Sequence, residues 1–471
     1  MNEKLRAFWS RFKMYDTTGL SKTVRKNLMW VLICILFGNL SLSVTGGTAL
    51  TGYVKALGAS DFAYSLLLGA PYVAKVMQLV TSYVLEKTRA RRVLLIWFGL
   101  IGRLMWVPVA LVPYFIPTNE GMVQIWAILV LVMLLSCICA FNETAFNSLM
   151  ADMVPKHISG RYFGARQCIT MAGGIAEGLL VTWILDTFTA GGSLTGYTIV
   201  FVMAGIFGAL DVACYFFVEF PPMGEPKVEE RKESIVAMVR QVLSNKRYRK
   251  VIVLLTIWSF VSSLSSPFYS VHMLGPMQMS YTEINLLSSI MINIATLLFS
   301  GMWGRCIDRY GNKPVLQLST LMLAMVPLLW LFTGPRRIWM VPVAEFYSGI
   351  IWAAVTLSQQ NTYLYQAPEK NRSMYFAVYF CLSQMIGVSL SYAVGGWMVD
   401  NLYLPLSQAL KLTILGFEMN QYHYIFFTSS MLRIVVSLFL LNHLPEQEND
   451  VKPMQMFKDI AHRLTHRHVN G

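Results

Sequence analysis

Long apolar runs follow one another along the chain, each about twenty residues or more, with short polar or basic stretches between them. They predict twelve spans, at roughly 28–54, 61–85, 93–116, 122–150, 161–186, 196–220, 250–275, 281–304, 314–334, 338–366, 374–400 and 420–444. A helix rising 1.5 Å per residue needs about twenty apolar residues to cross ~30 Å of hydrocarbon. Membrane strands would instead be ~10 residues of alternating character. The pattern therefore predicts an all-α integral membrane protein. The longest internal gap, 221–249, divides the runs six and six. It opens with Pro221-Pro222, carries a charged run from Lys227 to Glu233, and then has amphipathic spacing from Ser234 to Leu243. That spacing predicts a helix on the inner membrane surface. The expected organisation is a basic tail (1–27), a first bundle (28–220), the linker (221–249), a second bundle (250–445) and a further tail (446–471).

Composition supports this reading. Of 471 residues, 55% are hydrophobic and 13% charged, against about 25% charged in soluble domains. Mean hydropathy is +0.51. The net charge of +13 invites a nucleic-acid reading, but its distribution argues against one. Only Lys55, Arg336, Arg337 and Lys411 fall on one side of the spans, and Lys75, Arg103 and Arg433 lie within them. The rest concentrate in the tails and in the loops after even-numbered spans. Cytoplasmic loops carry such an excess, so both termini are expected in the cytoplasm of a multi-pass protein of the cell (inner or plasma) membrane. The first apolar run is too long for a signal peptide. The seven cysteines sit in apolar runs or beside basic loops, where disulfides are not expected. No Gly-x-x-x-x-Gly-Lys-Ser/Thr phosphate loop, catalytic triad or metal-ligand cluster is present, so neither an enzyme nor a cofactor is expected. His462, His466 and His468 are read as solvated tail residues.

The two halves repeat. Glu86-Lys87 with Arg91 recurs 222 residues later as Asp308-Arg309 with Lys313, and Asp211 falls on Arg433 at the same offset. Trp183-Ile184-Leu185-Asp186 recurs as Trp397-Met398-Val399-Asp400, and Pro155 with Tyr162-Phe163 as Pro368 with Tyr375-Phe376. Such a series indicates duplication of a six-helix unit. Gly304-Arg305-Cys306-Ile307-Asp308-Arg309-Tyr310-Gly311-Asn312-Lys313 resembles the Gly-x-x-x-Asp-Arg-x-Gly-x-Lys loop of the major facilitator superfamily of secondary transporters. The first-half copy departs from it, with Ser82, Glu86 and Arg89 at the Gly, Asp and Gly positions. Asp152-Met153-Val154-Pro155 with Gly160-Arg161-Tyr162-Phe163-Gly164 is similar to the loop after the fourth helix in bacterial members. The resemblance implies twelve helices in two pseudo-symmetric bundles around a central cavity, alternately open to each side.

An acid among cations at a helix end can pair across to neighbouring helix ends, and Gly311 permits a tight turn. A conformational gate is expected at Glu86, Arg91, Arg92, Asp152, Arg161, Gly304, Asp308, Arg309, Gly311 and Lys313. Ionisable groups within the membrane are costly and normally face a partner or a cavity. The expected substrate and coupling set is Asn39, Lys75, Asn142, Glu143, Asn147, Glu177, Gln359, Gln360 and Gln384, with Lys75 beside Glu143 or Glu177 at its centre. Arg103 and Asp211 are expected to pair inside the first bundle. Arg433 has no evident acidic partner, and Glu345 lies toward the outside. His272 is expected to be hydrogen-bonded near the outer end. Trp30, Trp97, Trp106, Trp126, Trp330 and Trp339 are read mostly as interfacial. The functional expectation is a secondary transporter of a small polar or amphiphilic organic solute, coupled to a proton or sodium ion. It would work as a monomer in the lipid bilayer. Drug or metabolite efflux by antiport, and a non-transporting receptor on the same fold, are the rival readings.

Overall fold

The computed structural model describes residues 20–45, 47–117, 121–155, 158–223, 235–368, 372–414, 416–445 and 451. The histidines of the C-terminal tail, most of the N-terminal tail and the charged run of the linker lie outside them. Among the described residues, eleven helices are long and apolar enough to cross a membrane. They follow an opening helix, α1 (Lys22–Thr45), and a shorter α2 (Thr48–Ala56). The expected second span is two helices, α3 (Asp61–Ala74) and α4 (Met77–Thr88), separated at Lys75-Val76. Then come α5 (Arg91–Phe115), α6 (Gly121–Met153), α7 (Ser159–Phe188) and α8 (Thr195–Phe217). The linker carries α9 (Ile235–Ser244), where the amphipathic spacing lies. The second half has α10 (Lys246–Leu274), α11 (Tyr281–Tyr310), α12 (Asn312–Trp330), α13 (Met340–Gln366), α14 (Met374–Leu410) and α15 (Gln421–Phe439). α14 runs ten residues beyond its expected end and is followed by a two-stranded hairpin, β1 (Thr413–Ile414) and β2 (Phe417–Glu418).

The described chain forms two compact units. The first comprises residues 1–58 and 77–231. Its core gathers Leu28, Val31 and Cys34 of α1, Leu94 to Ile96 of α5, Ala145 and Leu149 of α6, and Val212 of α8. The second comprises residues 59–76 and 232–471, so α3 is grouped with the second half although the sequence pattern assigns it to the first. The reason is local. The Asp400 carboxylate accepts the Asp61 and Phe62 backbone N–H groups at 3.1 and 2.8 Å, capping α3 from α14. Tyr422 of α15 donates to the Asp61 carboxylate at 3.2 Å. A Cβ on Gly396 would lie 2.6 Å from Ser65 Oγ and 2.8 Å from the Asp61 carbonyl, so the two backbones nearly touch.

Burial separates the tryptophans expected at the interface: Trp30 is half-buried and stacks on Phe217 at 4.8 Å, and the others fall into two groups. Trp97, Trp126 and Trp339 are exposed on the outer surface of their helices. Trp106 and Trp330 are core residues, 4% and 0% exposed. Trp106 stacks on Phe201 at 5.4 Å, and Trp330 packs against Tyr269 at 4.8 Å. Neighbouring aromatic rings on α8, α10 and α15, invisible to a window along one span, draw them inward.

Candidate functional site

In the first unit the expected Arg103–Asp211 pair is present at 3.6 Å, largely shielded, with the Arg103 guanidinium also donating to Ser41 at 3.3 Å. The amides on α6 diverge. Asn142 donates to the Leu95 carbonyl at 2.6 Å and thereby joins α6 to α5, whereas Asn147 is exposed. Glu143 accepts from Gln78 of α4 at 2.9 Å. Asn39 is buried and donates to the Thr170 carbonyl of α7 at 3.2 Å. On the same α7, Glu177 is half-buried, and one carboxylate oxygen is enclosed without a hydrogen-bond partner among the described residues. Lys75, expected beside Glu143 or Glu177, ends α3 and so belongs to the second unit.

The gate residues also divide. Arg91 is buried, pairs with Asp152 at 2.5 Å and donates to the carbonyls of Ser148 and Pro221, tying the start of α5 to the end of α6 and to the linker. Arg92 lies over the Phe220 ring at 5.8 Å. Glu86 and Arg161 are exposed. In the second unit Gly311 separates α11 from α12 at φ 88 and ψ 170, a region essentially confined to glycine. Its N–H closes α11 onto the Ile307 carbonyl at 2.8 Å. Asp308 is exposed and, among the described residues, carries no hydrogen bond or ion pair. Arg309 covers the Tyr310 ring at 5.3 Å, Lys313 is half-buried, and Gly304 keeps the α11 surface open.

Gln359 donates to the Tyr379 hydroxyl at 2.7 Å, Gln360 is exposed and Gln384 is half-buried on α14. None of these three lines the cavity of the second unit that Arg433 borders. That cavity, about 410 Å³, is built from α10, α11, α12, α13 and α15, and its wall includes Tyr269, Ser288, Trp330, Glu345, Trp352 and Arg433. A π-turn at Asn285–Ile290 widens α11 where Ser288 and Ser289 meet the cavity, as π-bulges often do at functional positions.

Sequence reasoning set Arg433 and Glu345 aside, and the fold brings them to one wall. Both are buried, 3% and 9% exposed. Among the described residues the Arg433 guanidinium meets neutral acceptors: the carbonyls of Leu323 (3.3 Å) and Ser262 (2.6 Å), the Ser265 hydroxyl (3.3 Å) and the Tyr269 hydroxyl. Its Nε–H and the Trp330 indole N–H are enclosed without partners. The clue available in the sequence was the cost of an arginine in a span with no evident acidic partner. Behind the cavity, His272 is fully buried, its Nε2 donating to Thr333 at 3.1 Å and its Nδ1 accepting from Asn420 at 3.3 Å. His272 is thus hydrogen-bonded, as the sequence predicts.

The helices, the repeated segments of the two halves and the glycine-closed basic loop fit a transporter architecture, and the family model for the Major Facilitator Superfamily matches residues 31–392 and 251–462. The chain belongs to the Major Facilitator Superfamily. Solved members share its fold at low identity. A nucleoside transporter, NupG, aligns over 88% of this chain and 99% of its own, with a TM-score of 0.67 and 14% identity. A bacterial homologue of the human lysosomal transporter Spinster covers 90% and 96%, at 0.63 and 15%. A D-xylose–proton symporter covers 90% and 99%, at 0.61 and 16%. Identities this low establish the superfamily fold and carry no substrate. No curated protein sequence matches the chain at a significant level.

Proposed function

We propose that this superfamily member is a secondary active transporter of a small polar organic solute, driven by a proton or sodium gradient through alternating access. It would sit in the inner or plasma membrane with both termini cytoplasmic. The observation that carries the reading is the pair of buried ionisable residues, Arg433 and Glu345, on the wall of one cavity of the second unit, with no ion pair to either among the described residues. Ionisable groups within membrane spans are costly and normally face a partner or a cavity, so their retention points to work with a solute or ion. Glu177 is the coupling candidate of the first unit, because its carboxylate has an enclosed oxygen that nothing nearby satisfies. Glu86 and Asp308, with the basic residues around them, form the proposed gate. A network of exposed pairs worth about 0–1 kcal/mol each can still bias a two-state equilibrium.

The test is flux in proteoliposomes loaded with a solute panel, under imposed pH or sodium gradients. Gradient-driven accumulation of at least one solute is expected, and Glu177→Gln should abolish accumulation while leaving exchange intact. A wild-type protein that exchanges and accumulates nothing across the panel would defeat the reading.

A further inference from the structure

We propose that the cavity of the second unit is a binding site for a small zwitterion, an amino acid or its close analogue. The carboxylate would face Arg433 and Trp330 and the ammonium would face Glu345. The inference rests on the transporter reading and gives the solute a chemical class.

Three features of the wall lead to it. First, the donors outnumber their acceptors. Arg433 Nε–H and Trp330 Nε1–H are both enclosed with no partner among the described residues, and a buried donor without an acceptor costs about 1–3 kcal/mol. An oxyanion placed between them supplies the missing acceptors. A carboxylate suits the flat guanidinium fork, which can offer parallel N–H groups to two oxygens. Second, no carboxylate pairs with Arg433 among the described residues. Its partners are two carbonyls and the hydroxyls of Ser265 and Tyr269, and Glu345, on the same wall, forms no ion pair with it. Two buried groups of opposite character that share a cavity without forming an ion pair are complementary to a solute carrying both signs. A plain anion would leave Glu345 with only the Ser288 hydroxyl, and a plain cation would leave the Arg433 and Trp330 N–H groups unmatched.

Third, size and surface agree. At about 410 Å³ the cavity falls within the ~300–1,000 Å³ of small-molecule sites. Tyr269, Trp330 and Trp352 supply apolar walls for a side chain, and Ser266, Ser270 and Ser288 supply hydroxyls around the charged ends. Tyr269 is held in place by Ser265 at 3.2 Å and by stacking on Phe426 at 4.8 Å, so the aromatic wall is preformed.

The experiment uses the full-length protein purified in detergent. Each of the twenty protein amino acids is screened by thermal shift, and the strongest is titrated alongside its des-amino and des-carboxy analogues. At least one amino acid should raise the melting temperature, with each analogue binding about tenfold or more weakly. That is the penalty expected when a buried polar group is left unmatched. Trp330→Phe removes the N–H together with one ring; it should weaken the zwitterion severalfold while leaving the affinity for the des-carboxy analogue nearly unchanged, which a merely disrupted core would not do. Glu345→Gln should weaken it while narrowing the gap to the des-amino analogue. Analogues that match the zwitterion, or variants that bind it unchanged, would overturn the proposal. Flux of another solute without amino-acid binding would overturn it too, yet leave the transporter reading standing. Amino-acid binding without flux of any solute would do the reverse.

Discussion

The Arg103–Asp211 pair offers the sharpest energetic test of the first unit. The charged atoms are 3.6 Å apart, with side chains 18% and 14% exposed. Two unit charges at that distance attract by about 5 kcal/mol at an effective dielectric of about 20. Desolvation offsets much of this, so the pair as a whole adds little. Removing one member is different, because it strands the other charge in a shielded, apolar setting at a cost of about 3–5 kcal/mol. Asp211→Asn and Arg103→Met should therefore each lower stability by that amount. The Arg103→Met/Asp211→Asn double variant should recover most of the loss, so that its cost falls far below the sum of the two single costs. Gly208→Ala reaches the same pair sterically, because its Cβ would lie 2.8 Å from Arg103 Cδ and 2.9 Å from Ser41 Oγ. It should cost about 1–3 kcal/mol as an overpacking defect. Equilibrium denaturation in mixed micelles, followed by tryptophan fluorescence, measures all four. Single variants within about 1 kcal/mol of wild type, with an additive double variant, would refute the account of a shielded, mutually dependent pair.

Asp400→Ala removes the acceptor of two N–H groups at the start of α3 and should destabilise that helix end by about 0.5–2 kcal/mol, seen as faster amide exchange confined to the first turn of α3. Protection unchanged at residues 61–64 would rule out the cap. Gly311→Ala forces a side chain into φ 88, ψ 170 and should cost about 1–3 kcal/mol, read as lowered thermal stability of purified protein; a neutral effect would mean the turn relaxes freely. Asp308→Asn should cut exchange rates in proteoliposomes more than Glu86→Gln does, with both variants inserted normally, and equal effects would count against unequal gates.

Much of the fold is legible in one dimension because a bilayer imposes one-dimensional rules. Span length follows from hydrocarbon thickness, while the 222-residue repeat of Glu86 and Asp308 exposes the duplication. The Arg103–Asp211 pair was legible for a related reason: two opposite charges in neighbouring spans of one bundle have few other ways to be satisfied. What the sequence could not decide is which faces of the helices meet. The affiliation of α3 depends on a carboxylate 339 residues away along the chain, and the inward turn of Trp106 and Trp330 depends on rings from other helices. Arg433 and Glu345 illustrate the limit best. Each is an isolated charge in an apolar run, and only the packing of five helices around a common space, with the π-turn at Asn285–Ile290 among them, puts both on the wall of one cavity. Hydrophobicity and charge act on each span separately and are written locally, whereas a binding site is a property of side chains converging from distant spans, which tertiary packing alone determines.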